Sequence, residues 1–228
     1  MRRFPVMLFA AGFGSRMGGL TQTLPKPLIP VAGRPLLDHA LDLCSADIVS
    51  HKVINLHYLG DQIAHHLQSR DVALSYENPI LETGGGLRAA LPLLGDGPVL
   101  TLNTDAVWTG SNPLVELVAA WDEATMDALL LLAPLDNALG HIGTGDFLLS
   151  ATGQISRANG APGVVYLGAQ IIRTDRLADI SHAAFSLNLL WDQMIAEGRT
   201  YGLIHNGGWC DVGQPRSIAL AEGMLNGG

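Results

Sequence analysis

Val6-Met7-Leu8-Phe9-Ala10-Ala11-Gly12-Phe13-Gly14-Ser15-Arg16-Met17 is the stretch on which the fold turns. Its first half is an apolar run of strand length; its second half is a glycine-rich loop that ends in a cation. A buried strand delivering glycines to its carboxyl end opens an α/β sheet, and glycines there let backbone N–H groups approach an anion without Cβ obstruction. Two other phosphate loops fit poorly. No Gly-Lys dipeptide occurs, as a P-loop requires, and the sixth position counted from Gly12 is Met17, where a dinucleotide fingerprint needs glycine.

Moving outward, Lys26 stands between Pro25 and Pro27 and is one of only two lysines. Flanking prolines restrict its backbone and pre-aim its ammonium. Residues 1–34 hold five of the 13 basic residues, Arg2, Arg3, Arg16, Lys26 and Arg34, with five glycines and no Asp or Glu. The remaining 194 residues carry 8 basic against 21 acidic side chains. An acidic chain with one glycine-rich cationic segment points to a local anion site. The net charge of −8 argues against general attraction to nucleic acid or an anionic membrane. Met1-Arg2-Arg3 before Phe4–Ala11 has the charge-then-apolar order of a secretory signal, but the run is short and contains Pro5, so a buried strand entering the glycine loop is expected. No stretch approaches the ~18 apolar residues of a membrane span. Cys44 and Cys210 lack metal-ligand spacing and do not make a disulfide framework; a reduced, cytoplasmic setting is expected.

The length of 228 residues suits one large α/β domain. Periodicity predicts strands at Val6–Ala10, Lys52–Leu56, Val72–Tyr76, Pro98–Asn103 and Asp127–Ala133. Helices are predicted at Arg34–Cys44, Gly60–Gln68, Gly86–Leu94 and Pro113–Thr125. This alternation implies a Rossmann-like, mostly parallel sheet flanked by helices, with ligands at the carboxyl ends of the strands. The second half reads differently. Asp146–Ser150, Gln154–Ser156 and Val164–Ile172 read as antiparallel strands, followed by helices at Leu187–Glu197 and Gln214–Leu225 around a strand at Tyr201–His205. A small β-rich subdomain on the sheet, forming the far wall of a cleft, is the expected picture, with residues 1–135 mainly the sheet and 136–228 mainly this second part.

Asp105 falls just past a predicted strand, and Asp211 lies in a Trp-x-Asp-x-Gly segment read as a tight turn. Each alone is most simply a cap. With the glycine loop and Leu24-Pro25-Lys26-Pro27-Leu28, however, the blocks Leu81-Glu82-Thr83-Gly84-Gly85-Gly86, Asn103-Thr104-Asp105-Ala106-Val107-Trp108, Gly145-Asp146-Phe147 and Trp209-Cys210-Asp211-Val212-Gly213 occur in one order from Phe4 to Leu225. In these motifs the sequence resembles the sugar-phosphate nucleotidyltransferases.

The resemblance implies an enzyme that joins a sugar 1-phosphate to a nucleoside triphosphate and releases pyrophosphate with Mg2+. It implies Asp105 and Asp211 as the metal carboxylates. It makes Arg16, Lys26 and Asp105 the catalytic groups, and Ala11, Gly12, Gly14, Ser15, Arg16, Lys26, Glu82 and Gly85 the nucleotide site. Asn103, Asp146 and Gly168 are the sugar-side candidates. Glu-Thr-Gly-Gly-Gly is similar to the uridylyltransferases, which makes UTP the expected nucleotide and N-acetylmuramic acid 1-phosphate the expected sugar. His141 and Arg157 are candidates to read that sugar's lactyl carboxylate. No obligate protein partner is implied. Two departures stand out: Gly18 replaces a second arginine, which weakens grip on the triphosphate, and the Ser156–Gly163 region lacks a Glu-Lys-Pro segment, which argues against glucose 1-phosphate thymidylyltransferases. Alternatives are a mannose 1-phosphate guanylyltransferase and, in another class, a catalytically silent nucleotide-sugar sensor. A sensor is expected to lose the lysine or the carboxylates, and all three residues remain. Asn188 is expected to cap its helix, and His57, His65 and His66 lack a third convergent ligand.

Overall fold

The computed structural model describes residues 2–227; Met1, the first residue of the charge-then-apolar order, lies outside them. Strand β1 (Phe4–Phe9) is the apolar run. Its side chains alternate, Val6 and Leu8 packing into one core and Met7 into another, as a strand buried on both faces requires. A two-residue hairpin, β2 (Pro30–Val31) and β3 (Arg34–Pro35), leads into α1 (Leu36–Leu43). Then follow β4 (Val49–Leu56), α2 (Gly60–His66), β5 (Ala73–Tyr76), α3 (Glu82–Leu94) and β6 (Val99–Asn103). β5, β4, β1 and β6 lie side by side, all parallel.

Beyond β6 the sheet becomes mixed. β12 (Val164–Ile172) runs antiparallel between β6 and β8 (Ala128–Pro134), and β13 (Thr200–Ile204) lies parallel to β8. The hairpin β10 (Phe147–Leu149) and β11 (Ile155–Arg157) joins β12 through Phe147 opposite Val164. The parallel α/β character is therefore as expected. The β-rich second half is also as expected, and its strands pair into the main sheet: β6 and β8 satisfy the two edges of β12, while the two cores cover its faces. Helices α1, α2 and α4 (Pro113–Ala120) send Leu37, Ile63 and Leu117 into one core, while α3 and α5 (Asn188–Ala196) send Leu87 and Met194 into the other.

A second sheet was not predicted. β7 (Ala106–Gly110) pairs antiparallel with β14 (Gly207–Asp211), and β9 (Ala138–Leu139) pairs parallel with β14; α6 (Arg216–Asn226) packs on it, placing Ala221 with Val107 and Cys210. Asp211 therefore ends a strand instead of sitting in a tight turn. Glycine-rich, short and mixed in polarity, these strands carry too little alternation to be recognised. Other expectations also shift. α4 stops at Ala120, because the Asp122 carboxylate accepts from Ala124 N–H (3.1 Å) and the Thr125 hydroxyl (2.8 Å) in a local turn that competes with the helix. α3 starts at Glu82, four residues before the predicted Gly86. Asn188 does not cap α5: it is the first helical residue, and its Nδ2 donates to Ser186 Oγ at 3.0 Å. Both cysteines are buried and free, and no described helix is long and apolar enough to cross a membrane.

Candidate active site

The loop after β1 is built around Lys26. Gly14 takes φ +63°, and a Cβ there would lie 2.9 Å from both Lys26 Cβ and Thr21 Cγ2. Glycine thus serves the left-handed backbone and the close approach together. The Lys26 stem fills the space so made, and the residue is 8% exposed. Its Nζ donates to Asp105 Oδ2 at 2.7 Å. Arg16 lies exposed in the short 3-10 helix Ser15–Thr21, beside this pair. Gly18, where a second arginine was expected, sits at φ 59°, ψ −130°, a conformation that an arginine would adopt only under strain.

The remaining cations of the basic N-terminal segment go elsewhere. Arg2 pairs with Glu123, Arg3 Nε donates to the Asp47 carbonyl, and Arg34 pairs with Asp42 at 2.7 Å. The anion site implied by charge clustering reduces to Arg16 and Lys26.

The β7–β14 register brings the two distant aspartates together. Asp211 stands opposite Ala106, and Val212 N–H donates to the Asp105 carbonyl at 2.9 Å. Burial, then the charge of Asp105, pushes the Asp211 carboxyl above its ordinary range; Lys26, Arg16 and His141 pull it back in part. A carboxyl raised on folding makes the folded state hold its proton more tightly than the unfolded chain does. The ionised group therefore costs stability as pH rises from the ordinary 3.8 through the raised value, and the cost is complete above it. In chelator-treated protein, Asp211→Asn is expected to raise the melting temperature at neutral pH, with the gain fading as pH falls towards the ordinary carboxylate value. A variant that melts below the wild type at neutral pH contradicts this electrostatic picture.

A cavity of about 300 Å3 opens at the carboxyl ends of β1 and β6. Of the residues singled out from sequence, Ala11, Gly12, Gly14, Ser15, Arg16 and Lys26 line one side, and Glu82, Asn103 and Asp105 another. Glu82 takes φ +60°, a left-handed conformation that side chains other than glycine rarely adopt. Gly85, Asp146, Gly168 and Asp211 are not among the lining residues. Gly84 and Gly85 instead both donate N–H to the Phe185 carbonyl, at 2.8 and 3.0 Å. Their lack of side chains lets α3 begin against residues 183–185, at the end of a stretch whose carbonyls at Leu177, Ile180, His182 and Ala183 accept from Arg88. Asp146 Oδ2 accepts from Tyr166 N–H at 2.8 Å, and Gly168, φ +82° in the bulge of β12, makes room for the Asn103 side chain. Arg157 is occupied, its Nε donating to Asp192 at 2.8 Å. His66 pairs with Asp38 at 2.9 Å.

Residues that sequence reasoning missed also line the cavity, notably Asn55, Glu77, Thr83 and Thr104. Asn55 and Glu77 are 3% and 4% exposed. The available signal was a polar residue inside the apolar run Val53–Leu56, since buried polar side chains require partners.

Residues 6–142 match the family model described as the MobA-like NTP transferase domain. The chain is similar to an N-acetylmuramate alpha-1-phosphate uridylyltransferase of Caulobacter vibrioides, 40% identical, and to one of Neisseria meningitidis serogroup B, 34% identical, with 96% of each chain covered in both cases. In fold it is similar to HddC from Yersinia pseudotuberculosis complexed with GMP-PN, at a TM-score of 0.76 and 19% identity, covering 97% of this chain and 99% of that one.

Proposed function

The chain belongs to the family of MobA-like NTP transferase domains, and from that premise we propose that it joins N-acetylmuramic acid 1-phosphate to UTP, releasing pyrophosphate, with Asp105 and Asp211 as the residues that would hold Mg2+. It is an enzyme, a nucleotidyltransferase of sugar 1-phosphates. The observation that carries the reading is the 2.7 Å contact between Lys26 Nζ and Asp105 Oδ2 in the lining of a cavity that the glycine loop also lines. The relatives' names and the Glu-Thr-Gly-Gly-Gly segment support uridylyl transfer to a muramate sugar.

The donor set suits the metal: two carboxylates stand on neighbouring backbone, one of them raised by burial and by the other's charge, as expected of a pair that shares a cation. Mg2+ beside phosphates typically takes one or two carboxylates and fills the rest of its shell with phosphate and water oxygens. When bound it neutralises charge on the triphosphate.

A phosphate oxygen of the sugar 1-phosphate attacks the α-phosphorus in line. The new P–O bond forms as the bond to the bridging oxygen breaks, and pyrophosphate departs with the electron pair. The attacking phosphate is already ionised near neutral pH, so no nucleophilic side chain or general base is required. Lys26 stabilises charge on the α-phosphoryl oxygens, and Arg16 neutralises the departing pyrophosphate. The loop backbone from Ala11 to Ser15 orients the phosphates, with Glu82 and Gly85 on the base side and Asn103, Asp146 and Gly168 on the sugar side. Positioning and electrostatics supply most of the catalysis. Residues 1–135 mainly hold the nucleotide, and 136–228 mainly the sugar and the second carboxylate. The enzyme works in the cytoplasm on small molecules.

Pyrophosphate release measured with UTP and GTP across a panel of sugar 1-phosphates tests the assignment. The expected result is a kcat/KM for UTP with N-acetylmuramic acid 1-phosphate about 100-fold or more above that of any GTP combination, the discrimination available to a site that hydrogen-bonds its base. Preference for GTP with mannose 1-phosphate would replace this reading with guanylyl transfer.

A further inference from the structure

Two buried polar side chains beneath the cavity are joined to opposite walls of it. Asn55, near the end of β4, accepts the Ala10 N–H on its Oδ1 at 2.7 Å, at the point where β1 becomes the glycine loop. Its Nδ2 donates to Glu77 Oε1 at 2.7 Å. Glu77 Oε2 accepts the Leu81 N–H at 2.8 Å, immediately before Glu82 and the start of α3. Gly86 closes the arrangement, since a Cβ there would meet Glu77 Oε1 at 2.5 Å and Asn55 Nδ2 at 3.0 Å. The chain Ala10–Asn55–Glu77–Leu81 thus runs from the phosphate loop to the opposite wall through three short hydrogen bonds, on side chains almost wholly removed from water.

Each group has one satisfactory partner. The Ala10 N–H can only donate, so it fixes the Asn55 amide with its oxygen towards the loop and its nitrogen towards Glu77. A carboxylate accepts at both oxygens, so Glu77 serves the Asn55 amide and the Leu81 N–H at once. A charge-assisted bond in a buried setting is stiff, and breaking it leaves a buried donor or acceptor unpaired. Neither β4 nor β5 otherwise connects these two segments by side chains in this way.

We propose that Asn55 and Glu77 are positioning residues, a buried relay that sets the phosphate loop and the wall preceding α3 at one fixed separation, so that a nucleotide spanning both is held with its α-phosphate beside Lys26. The inference rests on the reading of the cavity as a nucleoside triphosphate site. Its consequence is specific: disturbing the relay weakens the ligand that spans both walls and leaves the affinity for the sugar 1-phosphate alone.

The test exchanges the two chemistries. Asn55→Asp sets a second carboxylate against Glu77 and is expected to raise the KM for UTP about tenfold or more, the effect of one lost buried hydrogen bond, with the KM for the sugar 1-phosphate unchanged. The pair Asn55→Asp with Glu77→Gln restores every bond: the carboxylate accepts from Ala10 N–H and from the new amide nitrogen, and the amide oxygen accepts from Leu81 N–H. It is expected to return the KM for UTP to within about threefold of wild type. Melting temperatures accompany each measurement, and if Asn55→Asp does not fold, Glu77→Gln alone must raise the KM for UTP with the exchanged pair again rescuing it. A folded Asn55→Asp enzyme with wild-type KM, a failure of the exchanged pair to rescue, or an equal rise in both substrates' KM overturns the relay. A wild-type enzyme that turns over no UTP overturns the underlying reading instead, so the two failures are separable.

Discussion

Lys26→Ala is expected to lower kcat by roughly two to three orders of magnitude, about 3 kcal/mol or more of barrier, the usual effect of removing one electrostatic stabiliser of the transition state. The geometry makes this side chain hard to replace. Its stem is packed against Gly14, its ammonium is held 2.7 Å from Asp105, and its side chain is only 10% exposed. Water entering after truncation brings no preorganised charge, so it does not substitute. Lys26→Arg is expected to rescue little, because the space beneath Gly14 is shaped for a narrow chain and a planar fork is not a point charge. Steady-state pyrophosphate release at saturating substrates, with a melting curve on the same sample, is the measurement. Turnover within about threefold of wild type in a folded Lys26→Ala enzyme would remove Lys26 from the chemistry.

Asp105→Ala is expected to cost a similar amount, about 3 kcal/mol or more, with a second signature that Lys26→Ala lacks: the Mg2+ concentration for half-maximal rate should rise steeply. The Asp105 side chain is 31% exposed against 10% for Lys26, so removing the carboxylate leaves the more buried partner uncompensated, and Asp211 becomes the nearest counter-charge. The double variant is expected to be little worse than either single, since the two groups contact each other and act on one phosphoryl centre. A Mg2+ titration in which Asp105→Ala keeps wild-type half-saturation would place the metal elsewhere. Strict additivity in the double variant would mean that lysine and aspartate act independently.

The basis for both expectations was legible to different degrees. The strand and glycine loop from Val6 to Met17 could be read directly, because apolar period and glycine placement are local properties. The same holds for Lys26 between its prolines, and the α/β alternation followed from helical spacing in Leu36–Cys44 and similar segments. The reading failed where several partners had to agree. Trp209–Asp211 looked like a turn because nothing in three residues announces a strand whose neighbours are Ala106–Gly110 and Ala138–Leu139. Charge counting placed five cations together, yet Arg2, Arg3 and Arg34 found acceptors away from the cavity. Gly84 and Gly85 donate N–H to the Phe185 carbonyl, a partner that nothing in their own segment announces.

By itself, then, the sequence determined the central strand, the loop it feeds, the choice of Lys26 as the pre-aimed cation and the family to which these motifs belong. The strand, the loop and the lysine depend on residues within a few positions of one another, and the family on short local blocks whose order is read along the chain. Only the tertiary structure decided that Asp105 and Asp211 would be neighbours, that Asn55 and Glu77 would join the cavity's walls, and that β12 would run reversed within the main sheet. Those outcomes depend on register between strands distant in the chain, with Asp211 opposite Ala106 and Ala169 opposite Leu102, and on a side-chain contact between Asn55 and Glu77. Register is selected by how all the strands bury their faces together, and no single segment carries that information.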